Sequence, residues 1–274
     1  MKQLDEFVLL LTVNGYADST IKNYYSVLTL FFSQLNVTVE QVDTNDVQMY
    51  ICNRINMDRI SFSSQKQIIG AVKLFYKKMY DRCLSIDTSF LCKGKQRLPL
   101  VFSKEEVLEL LSKIDNLKYK TIIACIYSAG LRVSEIVKLK VKDIDVKQML
   151  ITIEGTKGYR DRKVMLSEEL LQLLKKYYKA YQPQEYLFEG HGKKPYSSSN
   201  IQKIFRKALQ ETTINKKASV YTLRHSFATH LIENGIDIKH VQYLLGHNTI
   251  KTTQVYTYLA TNYEFTIKSP LDSL

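Results

Sequence analysis

Two arginines in similar surroundings are the first residues of this sequence that could do chemistry. Arg132 lies in "SAGLRVSEIV" and Arg224 lies in "YTLRHSFATH", each near the start of an amphipathic helical pattern. An arginine between apolar runs is costly to bury unless its guanidinium group meets an anion. Two such arginines could clamp one phosphate through paired hydrogen bonds, and two unrelated salt bridges are the alternative interpretation.

A histidine and two tyrosines follow in "LLGHNTIKTTQVYTY". His247 comes directly after Gly246, and Tyr256 lies nine residues further on. A histidine can transfer protons, and a tyrosine hydroxyl can act as a nucleophile. Residues two apart on a helix point to nearly opposite sides, so Tyr256 and Tyr258 cannot serve one site.

The elements that must position these residues are mostly helices. In the first 90 residues, apolar spacing predicts a helix ended by Gly15 and a second one capped by Ser19 or Thr20. The segment "MLITIEGTKGYRDRKVML" predicts a β-hairpin with Lys157 at or beside its tip. Further helices are predicted over residues 44–55, 63–80, 222–234, 238–245 and 249–260.

The length of 274 residues suits two domains. We predict a helical N-terminal domain over residues 1–92, a linker over 93–101, and a second domain over 102–274. The linker contains a glycine, a basic run and a proline in "CKGKQRLPL". Ser103 and Glu106 form a predicted capping box that opens the next helix.

The net charge of +12 is distributed along the chain, as expected of a surface that faces a polyanion such as DNA or RNA. Neither the four cysteines nor the five histidines have metal-ligand spacing, and no disulfide framework is evident. No stretch approaches the roughly 18 apolar residues of a membrane span. These features predict a cytoplasmic protein with no metal site and no membrane partner.

The order of these motifs resembles the tyrosine recombinases of the phage integrase family, including the Xer-type and integron-integrase-like enzymes. That order is Gly-Leu-Arg, a hairpin lysine, Tyr-x-x-Arg-His, Leu-Gly-His and a tyrosine nine residues later. The resemblance extends to the N-terminal "YADSTIKNYYSVLTLFF" and to "IKSPLD" near the C-terminus. It implies a mainly α fold with a small β-sheet, an α+β catalytic domain, and a SAM-like core-binding domain. The two domains would form a C-shaped clamp around DNA.

The resemblance also implies a role for each residue of the motif set. Arg132 and Arg224 would hold the scissile phosphate, and Tyr256 would attack phosphorus to leave a 3′-phosphotyrosyl link. Lys157 would protonate the leaving 5′-oxygen, and His247 would hydrogen-bond the phosphate or assist proton transfer. One phosphodiester is exchanged for another, so neither ATP nor a metal cofactor is required.

Supporting residues follow from the same motifs. Glu135, one turn after Arg132, is expected to orient that arginine. Tyr221 occupies the position where the family usually has histidine, and we interpret it as a hydrogen-bonding substitute and a poor general base. Tyr258 is expected to pack. His225, His230 and His240 are expected to be helix-stabilising or surface residues, and His191 to lie in a loop suited to contact with the DNA backbone.

Partners and alternatives complete the prediction. Lys22, Lys66, Lys73 and Lys77 are expected to contact the DNA backbone. The resemblance implies double-stranded DNA with paired half-sites, a homotetramer on DNA and a monomer in solution. Integration and excision of a mobile element, dimer resolution and inversion all remain open. In the family the tail after Tyr256 docks on a neighbouring protomer. A type IB topoisomerase is the nearest alternative, followed by a non-enzymatic DNA-binding regulator.

Overall fold

The structure is a computed structural model that describes residues 2–35, 37–92, 98–155 and 161–260. It is mostly helical with one small three-stranded sheet, which confirms the predicted fold class. The chain divides into two units, Met1–Gln96 and Arg97–Leu274. Part of the predicted linker, residues 93–97, lies outside the described residues.

The described residues of the first unit form four helices with a shared apolar core. They are α1 (Lys2–Val13), α2 (Asp18–Ser33), α3 (Thr44–Asp58) and α4 (Phe62–Tyr80). Leu4, Phe7 and Leu11 recur at helical spacing on α1 and are all buried, so the pattern that predicted this helix also forms its packed face. Asp43 caps α3 through a capping box, and Ser61 caps α4.

The predicted cap of α2 is wrong. The helix begins at Asp18, and its N-cap is Ala17, which has no side-chain cap. The carbonyl oxygen of Ala17 accepts hydrogen bonds from the backbone N–H groups of Thr20 at 2.8 Å and Ile21 at 3.0 Å. Ser19 and Thr20 therefore lie inside the first turn, where a side chain cannot act as the N-cap.

The second unit combines eight helices with the sheet in its described part. In chain order these elements are α5 (Lys104–Ser112), α6 (Leu117–Ser128), α7 (Val133–Lys138), β1 (Ile144–Asp145), β2 (Leu150–Ile153), β3 (Arg162–Met165), α8 (Glu168–Tyr181), α9 (Ser198–Gln210), α10 (Val220–Glu233), α11 (Ile238–Leu245) and α12 (Lys251–Gln254). The predicted capping box is present at the start of α5, where Ser103 and Glu106 bond reciprocally.

The sheet has the order β1-β2-β3 and is antiparallel throughout. Ile151 on β2 lies opposite Val164 on β3, and both side chains are buried. Arg162 lies two residues before Val164, so it shares the buried face of β3. The sheet thus carries one charged side chain into the interior of the unit.

The last predicted helix is shorter than expected. α12 ends at Gln254, and the chain continues to Leu259 as a series of turns. Within these turns the Tyr256 N–H bonds to the carbonyl of Thr253, three residues back. Thr252 and Thr257 also turn their hydroxyls onto nearby backbone carbonyls, at 2.7 Å each. Threonines that bond locally compete with the regular helical pattern, so this threonine-rich segment tightens and does not continue as a helix.

Among the residues that the structure describes, no helix is both long enough and apolar enough to span a bilayer.

Candidate active site

The turn between α6 and α7 positions Arg132. Gly130 has a φ of +61°, and a Cβ atom at this position would lie 2.3 Å from a ring carbon of Phe227, so the turn requires glycine. Arg132 is the N-cap residue of α7. Its backbone N–H and its Nη1 both donate to the carboxylate of Glu135, each at 2.8 Å. This pair of bonds holds the arginine at the start of the helix.

Arg224 lies near the start of α10 and is 0% exposed. Its Nη1 donates to the Gly130 carbonyl at 2.6 Å, and its Nη2 donates to the Leu245 carbonyl. Burial, together with the neighbouring charge of Arg132, lowers the pKa of Arg224 to about 10. The guanidinium group is therefore still charged at neutral pH.

Glu135 also binds a third arginine that the sequence analysis did not include. Arg162 donates from Nη1 and Nη2 to the two carboxylate oxygens of Glu135, at 2.9 Å each. Arg224 Nη1 lies 3.7 Å from the same carboxylate. Burial alone would raise the pKa of Glu135, but the hydrogen bonds and charge of Arg162, with smaller contributions from Arg132 and Arg224, hold it at about 2.

We call Arg132, Arg162 and Arg224 the arginine cluster. One carboxylate offsets one of three guanidinium charges, so the cluster keeps an excess of positive charge in a largely buried site. The C-terminus of α11 fixes all three side chains. Its carbonyls at residues 244, 245 and 246 accept hydrogen bonds from Arg162, Arg224 and Arg132 in that order. Such an arrangement is suited to binding an anion with oxygen acceptors.

His247 follows directly on this helix end. Gly246 ends α11 in the left-handed conformation, with a φ of +61°. His247 Nε2 lies 3.3 Å from Arg224 Nη2, and its Nδ1 lies 2.9 Å from Thr253 Oγ1. Burial and the charges of the arginine cluster lower the pKa of His247 to about 4. The ring is therefore neutral at pH 7, and the arginine N–H at Nε2 places the ring proton on Nδ1.

The turns after α12 place Tyr256 beside His247. Its side chain is 1% exposed and clusters with apolar residues of α10 and α11, including Phe227 and Leu245. The ring lies nearly parallel to that of His247, with centroids 6.4 Å apart. Burial raises the pKa of Tyr256 to about 12, although the charges of Arg224 and Arg132 lower it. The hydroxyl is therefore protonated at neutral pH.

Tyr258 points away from this site and is 77% exposed. The prediction that the two tyrosines face different sides agrees with this arrangement, whereas the prediction that Tyr258 packs is wrong. Its side chain is not part of the buried cluster that contains Tyr256 and Ala260.

The Tyr256 hydroxyl contacts His225, which was expected to stabilise its helix or lie at the surface. His225 Nδ1 lies 3.0 Å from Tyr256 Oη. The ring of Tyr221, one turn earlier on α10, meets the His225 ring edge-on with centroids 4.5 Å apart. Tyr221 is 44% exposed. His225 therefore lies in the site, and Tyr221 contacts the His225 ring.

Two signals in the sequence could have indicated the missed residues. Tyr221 and His225 are four residues apart, so a helix places them on one face beside Arg224. Arg162 alternates with the apolar Val164 in a strand, which indicates an inward-facing arginine. Neither signal identifies the partner across the fold.

The other histidines lie away from the tyrosine. His230 was expected to stabilise the helix or lie at the surface, but it is buried and its Nδ1 lies 2.9 Å from the Tyr127 hydroxyl. His240 is exposed, as expected, and His191 lies in a short 3₁₀ turn between α8 and α9. Within the described ranges, no three His, Cys, Asp or Glu side chains group as metal ligands.

Lys157 lies outside the described residues. The strands that flank it form a hairpin, and Ile153 lies opposite Arg162 at the end nearest the loop. Beyond this pair, the Gly155 N–H donates to the Asp161 carboxylate at 2.7 Å. The hairpin therefore connects Lys157 directly to the strand that carries Arg162.

The predicted DNA-contacting lysines lie in the first unit. Lys22 on α2 and Lys66 and Lys77 on α4 are exposed, and Lys73 is partly buried. Lys77 pairs with Asp81 one turn later, at 2.5 Å.

Family models match both units of the chain. The phage integrase family model matches residues 101–262, and the model of the phage integrase N-terminal SAM-like domain matches residues 4–86. Together these matches cover most of the sequence. The chain therefore belongs to the phage integrase family and is a tyrosine site-specific recombinase.

Individual relatives agree with this assignment. Tyrosine recombinase XerD of Listeria monocytogenes is 32% identical over 93% of this chain and 93% of its own length. Tyrosine recombinase XerA of Pyrococcus horikoshii is 31% identical over 95% of this chain and 90% of its own length. The fold is similar to that of a lambda integrase tetramer bound to a Holliday junction, with a TM-score of 0.77 at 18% identity over 93% of this chain and 76% of that one. These relatives favour recombination over the type IB topoisomerase alternative.

Proposed function

We propose that Tyr256 is the nucleophile of DNA strand cleavage and that the arginine cluster binds the scissile phosphate. The single observation that carries this proposal is the position of the buried Tyr256 side chain against His247, which itself contacts Arg224. In the proposed reaction the tyrosine oxygen bonds to phosphorus and the 5′-oxygen leaves, so a 3′-phosphotyrosyl link forms. Attack by a 5′-hydroxyl on that link reverses the step and rejoins a strand.

The arginines serve this reaction through charge and geometry. Arg132 and Arg224 are held rigidly by Glu135 and by backbone carbonyls before any ligand arrives. Donors that are already oriented need no reorganisation as negative charge builds on the phosphoryl oxygens. In the same proposal Glu135 and Arg162 support the two arginines, and His247 hydrogen-bonds the phosphate or assists proton transfer.

Lys157 is proposed to protonate the leaving 5′-oxygen. It belongs to the hairpin between β2 and β3, and β3 carries Arg162 of the arginine cluster. Tyr221 is proposed to support the site as a neighbour of His225, because its ring contacts that residue.

The proposed substrate is double-stranded DNA with paired half-sites, on which four copies of the chain assemble from monomers. Lys22, Lys66, Lys73 and Lys77 of the first unit are proposed to contact the DNA backbone. Charged groups there would provide salt-dependent, sequence-independent affinity. We propose that the reaction takes place in the cytoplasm.

A covalent-adduct assay tests the nucleophile. A nicked DNA substrate that, after cleavage, loses the short fragment with the new 5′-hydroxyl should trap wild-type protein as a covalent complex. Tyr256→Phe should bind this DNA normally and form no complex, because the attacking oxygen is missing. Tyr258→Phe is the matched control, since that tyrosine is exposed, and it should form the complex. Adducts that persist with Tyr256→Phe would exclude Tyr256 as the nucleophile.

A further inference from the structure

The Tyr256 hydroxyl has a hydrogen-bonding partner that no part of the proposed reaction uses. His225 Nδ1 lies 3.0 Å from the tyrosine oxygen, with ring centroids 5.5 Å apart. His225 is partly buried on α10, directly after Arg224. We propose that His225 is a catalytic residue that takes the proton from Tyr256 as its oxygen attacks phosphorus. This inference rests on the proposed function of Tyr256.

The reaction needs such an acceptor because the tyrosine is a poor nucleophile in its protonated form. Burial raises the pKa of Tyr256 to about 12, despite the nearby charges of Arg224 and Arg132. At neutral pH almost every molecule therefore holds the proton on the oxygen that must bond to phosphorus. A base within hydrogen-bonding distance can remove this proton as the new bond forms.

The other two candidates for this role are less suitable. Both ring nitrogens of His247 already have partners, Arg224 at Nε2 and Thr253 at Nδ1. Tyr221 carries a phenol, which is a poor general base. Its contact is with the His225 ring. His225 is the base that directly faces the reacting oxygen.

The surroundings keep His225 ready to accept a proton. Burial, with the adjacent charge of Arg224, lowers the pKa of His225 to about 4, so the ring is neutral at pH 7. The proposal assigns the tautomer with its proton on Nε2, in which Nδ1 carries a free electron pair and accepts from the tyrosine hydroxyl. A DNA phosphate at the arginine cluster would offset the positive charge that disfavours the imidazolium form. DNA binding would thus raise the basicity of His225 at the stage when a base is needed.

The proposed step balances in both directions. The Tyr256 proton moves to His225 Nδ1, the tyrosine oxygen bonds to phosphorus, and the bond from phosphorus to the 5′-oxygen breaks. The leaving oxygen keeps the electron pair and takes a proton from Lys157. In the rejoining step the 5′-hydroxyl loses its proton to Lys157, and the departing Tyr256 oxygen recovers its proton from His225.

A substrate with sulfur in place of the scissile 5′-oxygen separates the base from the acid. The sulfur leaves without a proton, so Lys157→Ala should cleave this substrate well and the oxygen substrate poorly. His225→Ala should cleave both substrates about 10²–10⁴-fold more slowly than wild type in single-turnover assays, because the tyrosine proton is unaffected by the leaving group. A His225→Ala defect confined to the oxygen substrate would overturn the proposal.

His225→Asn tests whether the histidine only positions the tyrosine. The asparagine amide can accept the hydrogen bond but cannot take up the proton, so cleavage should stay slow while a gel shift shows normal DNA binding. Added imidazole should restore part of the activity of His225→Ala. Wild-type cleavage by His225→Asn would overturn the proposal. If His225→Ala loses DNA binding through misfolding, the asparagine variant decides the question.

The pH dependence gives a readout that a structural role would not produce. On the sulfur substrate, His225→Ala must lose the tyrosine proton to solvent, so its rate should rise with pH and its deficit should shrink from about pH 6 to about pH 9. The charged or titratable groups beside His225 are Arg224, Tyr221, Tyr256 and His247, and all are retained in the variant. A deficit that is constant with pH would contradict a proton-accepting role. Tyr256→Phe stays inactive on both substrates at every pH if the proposed nucleophile is correct, so failure of that assignment is detected separately.

Discussion

The two units of the chain use their charged residues in opposite ways. In the first unit, Lys77 pairs with Asp81 and Arg54 pairs with Asp58. Each pair spans one turn of its own helix and has access to solvent. In the second unit Glu135 and Arg162 are buried together, with Arg224 beside them. Water can therefore replace a lost partner in these pairs of the first unit, whereas it cannot do so around Glu135 in the second unit.

The difference shows which unit depends on its charges to fold. An exposed pair contributes little because solvent and salt screen it. A buried pair leaves an uncompensated charge when one partner is removed, and this is strongly destabilising. In the second unit these buried charges lie where an anion is proposed to bind, so the same residues are expected to affect both stability and chemistry.

The largest expected effect is the loss of the buried carboxylate. Glu135→Gln removes the negative charge shared by Arg132, Arg162 and Arg224, so the free energy of unfolding should fall by about 3–5 kcal/mol. Chemical denaturation of the full chain measures this change. Asp81→Asn, which breaks the exposed pair in the first unit, is the control and should leave the denaturation midpoint unchanged. Similar losses in both variants would remove the contrast between the two units.

The same comparison has a pH dependence of known sign. The pKa of Glu135 is about 2, below its ordinary value of 4.5, so its stabilising contribution is complete above about pH 4.5. That contribution is lost as the pH falls from about 4.5 through about 2. The free energy difference between wild type and Glu135→Gln should therefore shrink over this interval. A difference that does not change with pH would show that the carboxylate charge is not responsible.

The second effect concerns cleavage. Arg224→Lys keeps the positive charge but loses the planar fork that spans Gly130 and Leu245, so covalent-adduct formation should fall by ~10²–10³-fold while DNA binding changes little. Arg54→Lys makes the same substitution in the first unit and should cleave normally. Adduct formation by Arg224→Lys at the wild-type rate would show that the fork is not needed.

The smallest effect is expected in the first unit. Lys77→Ala should weaken DNA binding equally for all sequences and reduce the salt dependence of the binding constant by about one unit of slope. Asp81→Asn frees Lys77 from its ion pair and should not reduce that slope. Gel shifts over a series of salt concentrations measure both. An unchanged slope in Lys77→Ala would place this lysine away from the DNA.

Local patterns predicted the fold better than they predicted the site. The capping box at Ser103 and the helix over residues 238–245 were predicted because each depends on a few adjacent residues. The length of the helix after Thr249 was not predicted correctly, because threonines in this segment bond to nearby backbone carbonyls and the helix ends early. Periodicity alone does not account for such local competition.

The site was predicted only where motif order carries the information. Arg132, Arg224 and Tyr256 were singled out by their order along the chain, and the structure brings the two arginines together around Glu135. His225 was missed because its contact with Tyr256 joins residues 31 positions apart. A pairing of this kind is created by the fold, and neither residue type nor neighbouring sequence indicates it.

The end of α11 has a consequence for the safety of the genome on which the protein acts. Three successive carbonyls, at residues 244–246, each hold one arginine, and those arginines come from the turn after α6, from β3 and from α10. Because this helix end gives each of the three arginines a backbone acceptor, a chain that is still emerging from the ribosome, or one that has been clipped before α11, lacks part of the support for the groups proposed to bind phosphate. In a recombinase built in this way, the site proposed to cut DNA would be complete only when synthesis is nearly finished.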